Sequence, residues 1–234
     1  MIISIITASY KIFFIISTLI IIHELGHFLT ARLMNIETDK IYLYPLGGIS
    51  KINMPLNIPI IKEFLILIMG PIFQNIAYLF LLVITKDYEL ITRYHIGILI
   101  FNLLPIYPLD GGKLLNLFFN IIIPYKISYK IIIIISYIAN IIILFSNNKL
   151  SINMILTYIV LIIIIRKESL KEDLIYNKFL LERYLYHYKY KRNKVIKNIN
   201  LFYRIKNNIL KKNNIYYNES DLLDKKYRYF EKKY

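Results

Sequence analysis

The chain has 234 residues, 57% of them hydrophobic, with a formal net charge of +15 and a mean hydropathy of +0.49. Its apolar residues come in long blocks, which excludes an ordinary soluble domain and describes a polytopic membrane protein. Cysteine is absent, so disulfides, thiolate ligands and thiol nucleophiles are excluded, and any metal has to be held by His, Asp or Glu.

The charge is uneven. Residues 166–234 carry 19 Lys/Arg against 8 Asp/Glu, whereas residues 1–165 carry 11 against 7. By the positive-inside tendency the C-terminus is cytoplasmic. Nucleic-acid binding is the competing reading of a basic tail. It ranks lower because Ile, Asn, Lys and Tyr are over-used along the whole chain, so no nucleic-acid partner is expected.

The first hydrophobic stretch covers residues 2–34, broken only by Lys11, and about twenty apolar-rich positions after it are enough to cross a bilayer core. It contains His23-Glu24-Leu25-Gly26-His27. On a helix, positions i and i+4 lie one above the other, so the two imidazoles face one point and make a two-ligand zinc site. Glu24, beside the first ligand, suits the general base toward a water that zinc acidifies to a pKa of about 7. Ionisable groups at membrane depth each cost a few kcal/mol, which makes three of them in one apolar helix a functional signal.

Residues 35–59, with Pro45, Gly47, Gly48, Pro55 and Pro59, are too rich in breakers for a helix. Ile41-Tyr42-Leu43-Tyr44 reads as a short strand in a hairpin or loop. A second span runs from about Phe64 to Ile84, with Gly70-Pro71 and Asn75 near its middle; Gly70-Pro71 is taken first as a packing kink. A third span starts near Ile96 and reaches Pro105. Two prolines and two glycines then surround Asp110, the pattern of a broken helix, before an apolar run to Ile123. A fourth span, Ile131–Phe145, and a fifth, about Ile152–Ile165, follow.

Beyond Arg166 a soluble helix is expected through Phe179–Tyr184, and after Tyr186 a Lys/Asn/Tyr-rich segment with no packed structure. The fold class is therefore an all-α polytopic membrane protein with about five transmembrane helices, a short β-hairpin or loop after the first, and a basic cytoplasmic tail. The expected division is 1–165 as the intramembrane domain, 166–186 as a helical cytoplasmic linker, and 187–234 as a low-complexity basic tail.

A catalytic zinc takes three protein ligands and keeps one open position. Asp110 is the candidate for the third, because a carboxylate inside a broken helix needs a strong reason to be there. Taken without the rest of the sequence, a carboxylate capping the helix that begins near Gly111 is the stronger reading of that residue.

His23–His27 together with Asn102-Leu103-Leu104-Pro105-Ile106-Tyr107-Pro108-Leu109-Asp110-Gly111 resembles the two signature motifs of the site-2 protease family of intramembrane zinc metalloproteases. The resemblance implies one zinc per chain held by His23, His27 and Asp110, with Glu24 as catalytic base and Asn102 as a polar partner of the transition state. Gly70-Pro71 with Asn75 is similar to a weaker family motif. Tyr44-Pro45-Leu46-Gly47-Gly48 and the stretch Phe179–Tyr184 point to the family's sporulation branch. That branch implies a membrane-associated sigma-factor precursor (pro-sigma-K-like) as substrate, membrane inhibitor or regulator proteins as partners, and a place in the membrane surrounding the forespore. Tyr44, Gly47 and Gly48 are the candidate substrate-binding residues, through pairing with an unwound substrate strand. The branch also has an additional span before the motif helix and a terminal nucleotide-sensing CBS domain. With only 22 residues before His23, the expectation is that the extra span is absent or the start of the chain misplaced, and with a low-complexity tail, that the CBS domain is truncated or absent. The competing class is a catalytically inactive membrane protein that binds metal or holds a client.

Overall fold

Isoleucine and leucine blocks bounded by Pro, Gly and Asn call for helices with sharp ends, and the computed structural model has them. It describes residues 2–44, 47–52, 54–85, 87–146 and 152–231. They fall into two units, residues 1–54 with 60–103 and residues 55–59 with 104–234.

The first unit contains α1 (Ile2–Leu33), β1 (Thr38–Tyr44), β2 (Gly47–Ile52), α2 (Ile60–Thr85) and α3 (Tyr88–Leu103). Asn35 closes α1 in the left-handed region, at φ 57°. Its N–H donates to Arg32 O and that of Ile36 to Ala31 O, each at 3.0 Å, which satisfies carbonyls the helix end leaves open. β1 and β2 pair antiparallel, with Tyr44 opposite Gly47 and Leu43 opposite Gly48. The strand expected at residues 41–44 is thus part of β1. The three helices meet around Ile15, Leu19, Ala77, Leu81 and Ile91, and Lys11 pairs with Asp87 at the start of α3. Between apolar helices in a bilayer it is close packing, more than dehydration, that favours such contact.

The second unit contains α4 (Asp110–Ile122), α5 (Tyr125–Ser146), α6 (Ile152–Leu170) and α7 (Glu172–Tyr186). They are followed by β3 (Asn193–Ile196), a 3₁₀ turn (Ile199–Leu201), β4 (Asn207–Lys212), β5 (Ile215–Tyr217) and α8 (Glu219–Glu231). Residues 104–109 are the non-helical break expected before Asp110. The Tyr107 N–H donates to Ser136 Oγ at 2.8 Å and the Leu109 N–H to Ile106 O at 2.8 Å, so the freed backbone is paired inside the protein. Gly112 allows this loop to lie against α4, since a Cβ there would meet the Ile106 carbonyl at 2.5 Å.

Two expectations need correction. Among the described residues, three helical segments are long and apolar enough to cross a membrane: Tyr10–Leu33, Ile60–Thr85 and Tyr125–Phe145. These are the first, second and fourth expected spans. The sixteen residues of α3 give about 24 Å of helix against a hydrocarbon core of about 30 Å, and its first turns carry Glu89 and Arg93. The last turns of α6 hold Arg166, Lys167 and Glu168. The fold is accordingly mostly helical with a hairpin and a small sheet.

The second correction concerns the chain after Tyr186, which is folded. β3 pairs parallel with β4, and β4 antiparallel with β5 across Asn213-Asn214, both at positive φ as a tight two-residue hairpin requires. Ile196, Phe202 and Leu223 join Tyr125, Tyr176, Phe179 and Leu180 in one buried cluster. The polar residues that looked like low complexity form a network. Arg183, its side chain fully covered, holds Glu219 with two of its nitrogens. It also donates to Arg204 O at 3.0 Å and Lys206 O at 2.9 Å, and sits over the rings of Phe179 and Tyr190. Glu182 accepts from the backbone N–H groups of Leu56 and Asn57, which fastens residues 55–59 to α7. By packing, then, residues 166–186 and the tail belong with α4–α6.

Candidate metal centre

One turn of α1 brings His23 and His27 together, as the i, i+4 spacing dictates. Both are buried, their rings lie edge to face at 77° with centroids 4.8 Å apart, and their Nε2 atoms are 3.1 Å apart. What the other ring nitrogens touch decides where the protons are. His27 Nδ1 is 2.8 Å from the carbonyl oxygen of Ile66, which can only accept, so Nδ1 carries the proton. His23 Nδ1 is 3.0 Å from Gln74 Oε1. The amide of Gln74 is turned this way because its Nε2 donates to the carbonyl oxygen of His95 at 3.1 Å. His23 is therefore also protonated on Nδ1.

With each Nδ1 protonated, both Nε2 atoms, 3.1 Å apart, carry the lone pair that a metal ion would take. Two nitrogens bound about 2.0–2.1 Å from a tetrahedral zinc would stand about 3.3 Å apart. The residues present fit such an ion.

α2 reaches this point because residue 70 lacks a side chain. A Cβ on Gly70 would lie 2.2 Å from His27 Nε2 and 2.9 Å from His23 Nε2. On the other side of the crossing, a Cβ on Gly26 would lie 2.5 Å from Met69 O. Gly70 is thus a contact of the imidazoles themselves, beyond the kink expected from Pro71.

Glu24 is half-buried on the same turn of α1. Asp110, buried, is the first residue of α4, directly after the capping position Leu109. Lys113 Nζ is 3.5 Å from its carboxylate. His23 and His27, in the first unit, offer two buried nitrogen ligands, and Asp110, in the second, offers a buried carboxylate. Asn102 is half-buried in the last turn of α3, seven residues and two turns beyond His95 on the same helix face. Tyr44, Gly47 and Gly48 stand at the paired end of the hairpin, where residues 45 and 46 lie outside the described residues.

Of the two neighbouring amides on α2, the one noted in the sequence is not the one that meets the imidazoles. Asn75 donates to Pro71 O of its own helix at 2.9 Å, whereas Gln74 reaches His23. His95, taken as an ordinary interface residue, lies behind Gln74. The available signal was Gln74 itself, a polar side chain in the middle of an apolar span.

Residues 11–92 match the family model described as Peptidase family M50. Stage IV sporulation protein FB of Bacillus subtilis (strain 168) is 33% identical over 132 residues, 53% of this chain and 46% of that protein. A zinc metalloprotease of Methanocaldococcus jannaschii is 30% identical over 115 residues, 45% of this chain and 33% of that one. The chain spans less than half the length of these curated relatives. The solved site-2 protease from Methanocaldococcus jannaschii superposes with a TM-score of 0.52 at 26% identity, covering 68% of this chain and 76% of that one. The matched stretch carries His23, Glu24, His27, Gly70 and Gln74, so the part of the chain that is similar to peptidase family M50 includes the imidazole pair and the helix packed on it.

Proposed function

We propose that this chain is a zinc endopeptidase of the membrane that hydrolyses peptide bonds within or beside the bilayer. His23, His27 and Asp110 are its metal ligands, Glu24 its general base and Asn102 its hydrogen-bond donor to the developing oxyanion. The observation that carries this reading is the buried imidazole pair, its Nε2 atoms 3.1 Å apart and each Nδ1–H committed to an acceptor on α2, with a carboxylate on the same helical turn.

When bound, zinc supplies Lewis acidity, which acidifies water and polarises a carbonyl. Glu24 takes the proton of the attacking water and returns it to the leaving amine. Asn102 shares the α3 face of His95, which suits a side chain aimed toward the reacting carbonyl. A substrate helix has all its amides paired and must unwind before attack. The hairpin offers strand edges near Tyr44, Gly47 and Gly48 on which the opened segment can pair.

The sporulation relative suggests the substrate, a membrane-associated sigma-factor precursor of the pro-sigma-K kind, and with it membrane inhibitor or regulator partners. The setting is a multi-pass membrane protein with a cytoplasmic C-terminus, in the membrane surrounding the forespore. An inactive metal-binding or client-holding protein would have no use for Glu24. The test is metal analysis and cleavage of a pro-sigma-K-like transmembrane substrate by the purified protein. Wild type is expected to hold one zinc and cleave, and Glu24→Gln to hold zinc without cleaving. Cleavage at the wild-type rate by Glu24→Gln, or by zinc-free protein, would refute the proposal.

A further inference from the structure

We infer that Gln74 is a positioning residue that sets the tautomer of His23, and that His95 in turn sets the orientation of Gln74. This rests on the reading above of His23 as a metal ligand. Three helices then act on one ligand atom through a single chain of hydrogen bonds.

The chain runs in one direction. Gln74 is completely buried, and its Nε2 has two acceptors on α3, the carbonyl oxygen of His95 at 3.1 Å and His95 Nδ1 at 3.3 Å. With both N–H bonds of the amide drawn toward α3, Oε1 is forced toward α1. There it meets His23 Nδ1 at 3.0 Å and can only accept. His23 must hold its proton on Nδ1 and present Nε2 unprotonated.

The His95 ring is itself fixed, stacked on Tyr78 with centroids 4.2 Å apart at 13°, and the Tyr78 hydroxyl bonds Thr92 at 3.1 Å. His27 achieves the same state more simply, through a backbone carbonyl that no substitution removes. His23 is therefore the ligand whose protonation depends on a replaceable side chain. A glutamine needed only for packing could bond its own helix, as Asn75 does. Gln74 instead spans two other helices, the pattern of the outer-shell groups that orient metal-binding imidazoles.

The chain has four histidines, few enough for ¹⁵N-histidine labelling of the whole protein. In metal-stripped wild type, the neutral ring of His23 is expected to be the Nδ1–H tautomer. Gln74→Leu should return it toward the Nε2–H tautomer that free imidazole favours and weaken zinc binding by about 10–100-fold. Gln74→Glu, with an acceptor oxygen at the same reach, should restore the Nδ1–H form. His95→Ala leaves the backbone carbonyl in place and should give a smaller loss than Gln74→Leu.

Wild-type His23 protonated on Nε2 overturns the inference without any variant, as does wild-type zinc affinity in Gln74→Leu. If wild type binds zinc and His27→Ala does not, such a result removes this inference alone. If wild type binds no zinc, or His27→Ala binds it as tightly, the metalloprotease reading falls and this inference with it.

Discussion

Gly70→Ala adds one methyl group where the imidazoles leave no room. Its Cβ would stand 2.2 Å from His27 Nε2, 2.4 Å from His27 Cε1 and 2.9 Å from His23 Nε2. Ordinary non-bonded contact is at about 3.5 Å, so the rings or α2 must shift by roughly 1 Å. Retreat of α2 opens the Gly26–Met69 crossing, and rotation of the rings breaks the 2.8 Å bond from His27 Nδ1 to Ile66 O. Overpacking of this kind costs about 1–3 kcal/mol, and a misplacement of about 1 Å in a reacting group costs about 100-fold. We therefore expect zinc affinity to fall about 100-fold, roughly 2.7 kcal/mol, in competition with a chelator, while circular dichroism reports unchanged helicity. Gly97→Ala is the control. Nothing lies within 4 Å of its Cβ position, so zinc affinity should be untouched and the helix favoured by up to about 1 kcal/mol. Wild-type zinc affinity in Gly70→Ala would refute the reasoning.

Asp110→Ala should lower zinc content as well as activity, because it removes one ligand of three; full zinc occupancy by metal analysis would return Asp110 to a structural role. Arg183→Met keeps the bulk but leaves Glu219 without its cation, and should destabilise the C-terminal unit by about 3–5 kcal/mol. Hydrogen exchange across residues 193–231 reads this out, and unchanged protection would mean the pair is incidental. The hydrogen bond from Lys126, at 2.7 Å, and then its charge hold the Asp173 carboxyl below the usual carboxylate range. A lowered folded-state pKa stabilises above the unfolded value, and the contribution is lost as pH falls through the folded one. The difference in Tm between wild type and Asp173→Asn should accordingly be small, screened by salt, and vanish as pH falls below about 4. A difference independent of pH would refute it.

The parts of the site that were legible in the sequence are those set by local geometry. The imidazole pair follows from helical spacing, and the break before Asp110 from proline and glycine density. Gln74 was not legible, although its neighbour Asn75 was singled out. Two consecutive amides differ by about 100° around a helix, and which one faces α1 depends on how α2 is rotated against it. That rotation is set by the Gly26 and Gly70 contacts, which link residues far apart in the chain. His95 is one helix further away and is hidden for the same reason. Hydropathy likewise found the apolar blocks but could not say which are continuous helices of spanning length, because α3 and α6 mix apolar residues with charged ends.

The segment after Tyr186 was illegible for a different reason, and it carries the last prediction. Fewer than fifty residues rich in Lys, Asn and Tyr cannot bury enough apolar surface to fold alone. Here they do not have to, because Ile196, Phe202 and Leu223 complete a core whose other half is Tyr125, Tyr176, Phe179 and Leu180, from α5 and α7. The Tyr176 hydroxyl bonds the Ile199 carbonyl, and the Tyr125 N–H donates to Phe202 O at 2.9 Å. Truncation after Tyr186 should therefore damage what remains. It uncovers Tyr176, Phe179 and Leu180, each 4% exposed or less, at about 1.5–3 kcal/mol per large apolar side chain. It also takes from Arg183 the partners Glu219, Arg204 and Lys206. Hydrogen exchange should accelerate by orders of magnitude along residues 172–186 and in residues 55–59, which hang on Glu182. Proteases should cut α7 in the truncated protein before any other helix. If α7 kept its full-length protection, the tail would be a passenger on a core that is complete without it.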